Sequence, residues 1–260
     1  MEGLIRIARA IARPVVARIP FLRRRLFAST DYRLLDRERA RHVQASGWHD
    51  RRAAARQEKA YSVILEAMRR GEPRIDLRVA VDAIHATGLG NPSILEVGCG
   101  NGYYSEVFAH MLTVPYSYVG VDYAAAMVDS ARQRCPNTRF EVADACELPF
   151  ADAEFEVVFN GVSLMHILDF EKAIEESRRV ASRYCVYHSV PLFRDRQTTF
   201  LSKYAYGAPV VEVIFNRADL LALFSKFGFA LVKSWPSIEY DIHPVTPEHS
   251  FCETFLLRVQ

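Results

Sequence analysis

Residues 94–107 read ILEVGCGNGYYSEV, an apolar run followed by Gly98, Gly100 and Gly102 and then by a helical pattern. Ser93–Val97 predicts a strand and Tyr104 onward a helix, so the glycines fall at a strand-to-helix turn. At such a turn, backbone N–H groups and a helix N-terminus approach a polar ligand closely, because glycine has no Cβ in the way. The glycines alone admit a dinucleotide, a nucleoside triphosphate or a methyl donor. Spacing narrows the choice. The nicotinamide fingerprint G-x-G-x-x-G needs a small residue where Tyr103 stands, and the phosphate loop needs Lys after Gly102. A nicotinamide oxidoreductase survives only if the turn tolerates Tyr103.

Outward from this turn, strand-like runs SILEV, SYVGVD, RFEVAD, FEVVFN and YCVYHSV alternate with helical patterns over Tyr104–Met111, Ala124–Arg134 and Glu171–Ser182. That rhythm predicts an α/β fold with a mostly parallel sheet and helices on both faces. After a helix over Arg217–Lys226, FALVKSW and SFCETFLLRV are joined by the Pro-rich PSIEYDIHPVTPEH. This link is too short for a crossover helix, so the last two strands should pair antiparallel. The second strand ends in Asp122, about twenty residues beyond the glycines, where a carboxylate binds ribose hydroxyls. Its structural alternative is an N-cap for the helix at Ala124. The third strand ends in Asp144, which suits an exocyclic amine such as that of adenine. An Asx turn is the plainer reading.

The chain has 260 residues, half hydrophobic and a quarter charged, which fits one large globular domain with or without an arm. Its five cysteines are spread out with no C-x-x-C, which favours free thiols and a reducing, cytoplasmic setting. Residues 1–60 carry 15 Lys and Arg against 6 Asp and Glu, whereas the other 200 carry 18 against 25. The basic arm begins MEGLIRIARAIARPVVARIPFLRRRLF, with Leu4, Ile5, Ala8, Ile11, Ala12 and Val15 on one helical face and Arg6, Arg9 and Arg13 opposite. Arginines interrupt every apolar run, so it is no membrane span. Peripheral membrane contact through residues 1–27 is one reading. Packing on the body or on a second subunit is another, and an Arg-rich transit peptide a third. The acidic body argues against a nucleic-acid substrate.

Taken in order, ILEVGCGNG, YVGVDYAAAMVDSAR and FEVADACELPFADAEFEVVFNGVSLMHI resemble the class I S-adenosylmethionine-dependent methyltransferases, closest to their small-molecule, ubiquinone/menaquinone-type branch. The resemblance covers about Ser93 to Arg179. It implies a Rossmann-like seven-stranded sheet with an antiparallel last strand, preceded here by an N-terminal helical extension. It implies S-adenosylmethionine as cofactor, with S-adenosylhomocysteine as product. By the same resemblance, Glu96 and the backbone of Gly98, Cys99, Gly100, Asn101 and Gly102 face the methionine part. Asp122 holds the ribose, Tyr123 and Met127 border the adenine, Asp144 and Ala145 meet its edge, and Asn160 starts the substrate-side loop. One departure is Ala181-Ser182-Arg183-Tyr184 in place of the usual Lys-Pro-Gly-Gly turn before the fifth strand.

The expected organisation is a basic arm over 1–50 and a methyltransferase domain over 51–260. The domain divides into a helical lead-in (51–92), a cofactor-binding core (93–190) and a substrate-side insert with the closing strands (191–260). Methyl transfer chiefly needs the acceptor aligned, and a hydroxyl or protonated amine also needs a base. His188, at the end of the fifth strand, and His166, after the fourth, are the candidate bases; the alternatives are a satisfied core histidine for His188 and a helix-start packing or capping role for His166. Trp48, Gln57 and Tyr61 are candidates for a lid, Gln57 and Tyr61 sharing a helix face. The insert KYAYGAPVVEVIF offers Lys203, Tyr204, Tyr206 and Glu212 as further candidates toward the substrate, a solvated loop or hydrophobic lid being the plainer readings. Gly161-Val162-Ser163 lacks the second glycine of a hydrolase elbow, and no histidine spacing suggests a metal. Asn-Pro-Pro-Tyr, the mark of nucleic-acid and glutamine amine methylation in this fold family, is absent. The expected activity is therefore methyl transfer to O or N, less readily C, of a small-molecule acceptor. The competing reading is a catalytically silent cofactor-binding scaffold of the same fold.

Overall fold

The computed structural model describes residues 29–49, 51–205, 208–240, 242 and 245–260. The amphipathic stretch over 1–27 and Tyr206 lie outside the described residues. Five strands run parallel in the order β4 (Arg139–Val142), β3 (Ser117–Asp122), β2 (Ser93–Val97), β5 (Phe155–Gly161), β6 (Ala181–Phe193). Beyond β6 come β10 (Ser250–Val259), antiparallel to it, and β9 (Phe229–Glu239), antiparallel to β10. This is the expected seven-stranded sheet, and the pairing of the last two strands is as the Pro-rich link required.

The sheet is buried on both faces because its strands are near-continuous apolar runs. On one face Ile94, Val157, Phe159 and Val186 pack against α2 (Arg51–Arg69), α3 (Ile75–His85) and α4 (Tyr103–Met111). On the other, Leu95, Val97, Val158 and Cys185 meet α6 (Phe170–Val180) and α7 (Arg217–Lys226). The crossover from β3 to β4 carries α5 (Ala125–Arg134), whereas β4 to β5 is a loop that buries Leu148 and Phe150. Arg179 secures that loop by donating to the Leu148 and Phe150 carbonyls at 2.9 and 2.7 Å.

Three strands lie outside this frame. β1 (Ser29–Leu35), β7 (Thr199–Ala205) and β8 (Ala208–Asn216) form an antiparallel extension, and β8 joins β6 at Leu192 and Phe193. β5 pairs with β6 only as far as His188, so the longer β6 has an open edge beyond that point for β8. The insert is therefore a hairpin rather than a loop. Part of the stretch read as an arm is likewise a strand, followed by α1 (Arg37–Gly47), which is capped by Asp36 accepting from the Arg39 amide at 2.8 Å. The missing Lys-Pro-Gly-Gly turn has a simple cause. α6 ends at Val180 and β6 begins at Ala181, whose φ of −86° and ψ of 129° need no glycine. Among the described residues no helix is long and apolar enough to cross a membrane.

Candidate active site

A cavity of about 440 Å³ opens at the carboxyl ends of β2, β3, β4 and β5, where ligands of open α/β sheets sit. The turn after β2 forms its floor. Gly98 has φ +77°, and a Cβ there would lie 2.3 Å from the Ser163 Cβ, so no other residue fits without displacing the loop after β5. Gly102 takes the left-handed N-cap position of α4 with φ +80°. Asp122 braces the turn: Oδ2 accepts from the Gly100 amide and Oδ1 from the Ala124 amide, both at 2.9 Å. Asp122 thus fastens the glycine turn and the start of α5, while Ala124 itself occupies the N-cap position.

The floor is acidic. Burial pushes Glu96 up to about 8 against the lowering effect of the Tyr118 hydroxyl, which donates to it. Burial likewise raises Asp122, and its two backbone donors oppose the shift. Asp144 closes an Asx turn by accepting from the Cys146 amide at 2.8 Å. Polar atoms without partners point to a missing guest. Both side-chain amide atoms of Asn101 and Oε1 of Gln57 are buried with no hydrogen-bond partner among the described residues. Buried polar groups are seldom left so unless a ligand or water completes them.

The opposite wall comes from the added hairpin. Lys203 and Glu212 form an ion pair with side chains 12% and 2% exposed, and the Tyr240 hydroxyl donates to Glu212. His166 lines the same wall, with Nδ1 2.9 Å from the Val211 carbonyl and the Trp48 ring edge-on at 4.9 Å. Only a protonated Nδ1 can donate to a carbonyl, so the neutral ring carries its lone pair on Nε2. Burial lowers the His166 pKa, while Glu212 raises it. Arg74 and Asp76 add a second pair to the lining, bidentate at 2.6 and 2.5 Å.

Comparison with known proteins agrees with this geometry. A family described as a methyltransferase domain matches residues 95–184. A demethylmenaquinone methyltransferase of Paenarthrobacter aurescens is 29% identical over 69% of this chain and 70% of its own length. Another, from Renibacterium salmoninarum, is 31% identical over 46% of this chain and 48% of that protein. The crystal structure of a S-adenosylmethionine-dependent methyltransferase from Methanosarcina mazei superposes with a TM-score of 0.51 at 16% identity, covering 68% of this chain and 96% of that one, and so shares the fold. The matched domain, these relatives and the shared fold support a S-adenosylmethionine-dependent methyltransferase of the class I type. S-adenosylmethionine is its cofactor.

In this methyltransferase Glu96, Gly98, Cys99, Gly100, Asn101, Asp122, Tyr123, Met127, Asp144 and Ala145 all line the cavity, as do Trp48, Gln57, Tyr61, His166 and Glu212. Gly102 is not part of the lining, and Phe140 and Ala131 crowd the place where its Cβ would stand. Asn160 is 1% exposed, its side-chain amide has no hydrogen-bond partner among the described residues, and it is not part of the cavity wall. His188 is also placed away from it. Its ring is 1% exposed, Nδ1 meets the Thr254 hydroxyl at 2.9 Å, Nε2 meets the Ser189 hydroxyl at 3.2 Å, and Phe159 stacks on it. The expectation that His188 faces the crevice is therefore corrected: β6 turns that side chain into the core. Sequence reasoning missed Arg74, Asp76, Tyr240 and Cys252. The only signal was Asp76 itself, a carboxylate heading the face that carries the buried Ala80, Ala83 and Ile84.

Proposed function

We propose that this methyltransferase methylates a small ring compound of the quinone type in its hydroxylated form, at a heteroatom and foremost at a hydroxyl oxygen. The observation that carries the reading is His166, held on the cavity wall by the Val211 carbonyl with its basic nitrogen at Nε2. The names of the relatives, among them a 2-phytyl-1,4-naphthoquinone methyltransferase, support the ring class. So does the apolar lining from Trp48, Ala205, Val210 and Ile238.

The residues present suit the cofactor. Gly98 and Gly100 of the turn line the cavity, and the unpartnered Asn101 and Gln57 atoms await polar groups. Asp122 would hold the ribose hydroxyls with the lone pairs its backbone bonds leave over, and Glu96 would face the ammonium. Tyr123, Met127, Asp144 and Ala145 would enclose the adenine. When bound, S-adenosylmethionine supplies an electrophilic methyl group on a sulfonium. The chain's own part is to align the acceptor, exclude water beneath α2 and the hairpin, and take a proton. His166 does the last, receiving the acceptor's hydroxyl proton on Nε2.

Tritiated methyl transfer to a panel of dihydroxynaphthalenes and their dimethyl ethers tests this. Label should enter the free hydroxyl compounds and not the ethers. Equal labelling of both, or of neither, sinks the acceptor class. The basic stretch over 1–27 fits contact with an anionic membrane holding such apolar acceptors. Equal sedimentation of full-length and arm-deleted protein with anionic liposomes would end that part.

A further inference from the structure

Resting on the hydroxyl-acceptor reading, we propose that the Lys203–Glu212 pair is a charge template for ionising the acceptor. Lys203 faces the oxygen that becomes negative, and Glu212 faces the His166 ring that becomes positive. The acceptor's O–H bond breaks, its electron pair stays on oxygen, and the proton forms an N–H bond at His166 Nε2. Nothing is oxidised or reduced.

The pair is poorly explained as a stabilising device. Taking two charges out of water is costly, and apolar replacements are often as stable. The hairpin already has an apolar filling, since Leu201, Val211, Val213 and Ile214 are all buried. Glu212 is nonetheless sealed in the wall by Lys203 and the Tyr240 hydroxyl, and the Lys203 ammonium lies 5.8 and 5.9 Å from the Tyr32 and Tyr240 ring centres. All of Lys203, Glu212, Tyr240 and His166 line the one cavity.

The charges also have the right arrangement. Lys203 sits opposite Val210 and Glu212 opposite Leu201 on adjacent strands, so the two side chains meet diagonally on the face turned to the cavity. Val211, next to Glu212, holds His166 Nδ1. Among the described residues the charged groups acting on the His166 ring are Glu212, which favours its cation, and Lys203, which opposes it. Before proton transfer the acceptor, the ring and the pair are each neutral. Afterwards each new charge has a fixed opposite charge beside it, which is how preorganised dipoles lower such a step.

The test uses 4-nitrophenol, whose anion absorbs in the visible, bound to the full-length protein with S-adenosylhomocysteine. The comparison is with Lys203→Met/Glu212→Gln, a double variant that removes both buried charges together and avoids leaving one unpaired. In the native complex the bound probe should ionise about one unit or more below its value in buffer. In the double variant this shift should vanish. A bound probe that ionises alike in both proteins, or one that does not bind the native complex, overturns the proposal. Heat of S-adenosylhomocysteine binding and thermal unfolding, measured on the same samples, separate a failed template from a failed cofactor reading or a failed fold. A double variant that unfolds is replaced by Lys203→Met alone, which should raise the probe's ionisation point. No rise would equally refute the template.

Discussion

Asp122 and Gly100 are joined across the cavity floor: the Gly100 amide donates to Oδ2 of Asp122 at 2.9 Å. The bond makes the carboxylate a strut for the glycine turn, and we propose that its remaining lone pairs hold the ribose of the cofactor. Asp122→Asn keeps the shape but can turn an NH2 toward the Gly100 N–H, setting donor against donor. The expected result is a tenfold to about hundredfold loss of S-adenosylhomocysteine affinity by calorimetry. Unchanged affinity would show that the carboxylate serves neither purpose.

Glu96 gives the binding a pH dependence. Its pKa stands near 8 because burial penalises the anion. Below that pH the group is largely protonated, and the anion that would attract the ligand's ammonium appears only as pH rises. Affinity for S-adenosylhomocysteine should therefore climb between about pH 6 and 8 and then level off. The effect on the free protein has the opposite sense. The unfolded chain ionises Glu96 near 4.5 while the folded one does not, so stability falls as pH rises from there to about 8. Glu96→Gln should flatten both trends. A slope in either that persists in the variant assigns it to another group.

Much of the frame was legible because periodicity reports burial. The strands from SILEV to SFCETFLLRV and the helices between them follow from apolar runs and turns, and Asp122 from its place at a strand end. The hairpin wall of the cavity was not legible in the same way. Lys203 and Glu212 lie in a run that alternates like any strand, and only the hairpin's pairing with the far end of β6 turns them into the cavity. His188 shows the converse. A histidine at the end of a central strand reads as a site residue, yet one step of the pleat decides whether it faces a ligand or the core.

His188 should therefore matter for stability and not for proton transfer. Burial lowers its pKa to about 4, so the folded protein keeps it neutral while the unfolded chain protonates near 6.5. Stability is complete above 6.5, is lost as pH falls toward 4, and changes no further below; the shift corresponds to about 3 kcal/mol. His188→Gln should lower Tm at neutral pH, soften the loss on acidification, and leave the lower limb of the pH–rate profile in place. His166→Gln should remove that limb. The reverse assignment of the two limbs would restore His188 as the base.

Gly98 offers a test of how the floor is held. An alanine Cβ would fall 2.3 Å from the Ser163 Cβ and 3.0 Å from its hydroxyl, but 3.7 Å from its Cα. The clash is thus with the serine side chain, whereas the φ of +77° adds backbone strain of about 1–2 kcal/mol that no neighbour relieves. Ser163 in turn donates to the Val97 carbonyl at 2.7 Å, so displacing it also breaks the tie between the β2 and β5 loops. Gly98→Ala should cost about 3 kcal/mol or more in stability, and cofactor affinity should fall with it. Gly98→Ala/Ser163→Gly removes the clash and leaves the strain and the lost hydrogen bond. It should recover part of the stability and of the S-adenosylhomocysteine heat, remaining below the native protein in both. A double variant no better than the single one would mean that backbone strain at Gly98, and not its approach to Ser163, is what requires glycine there.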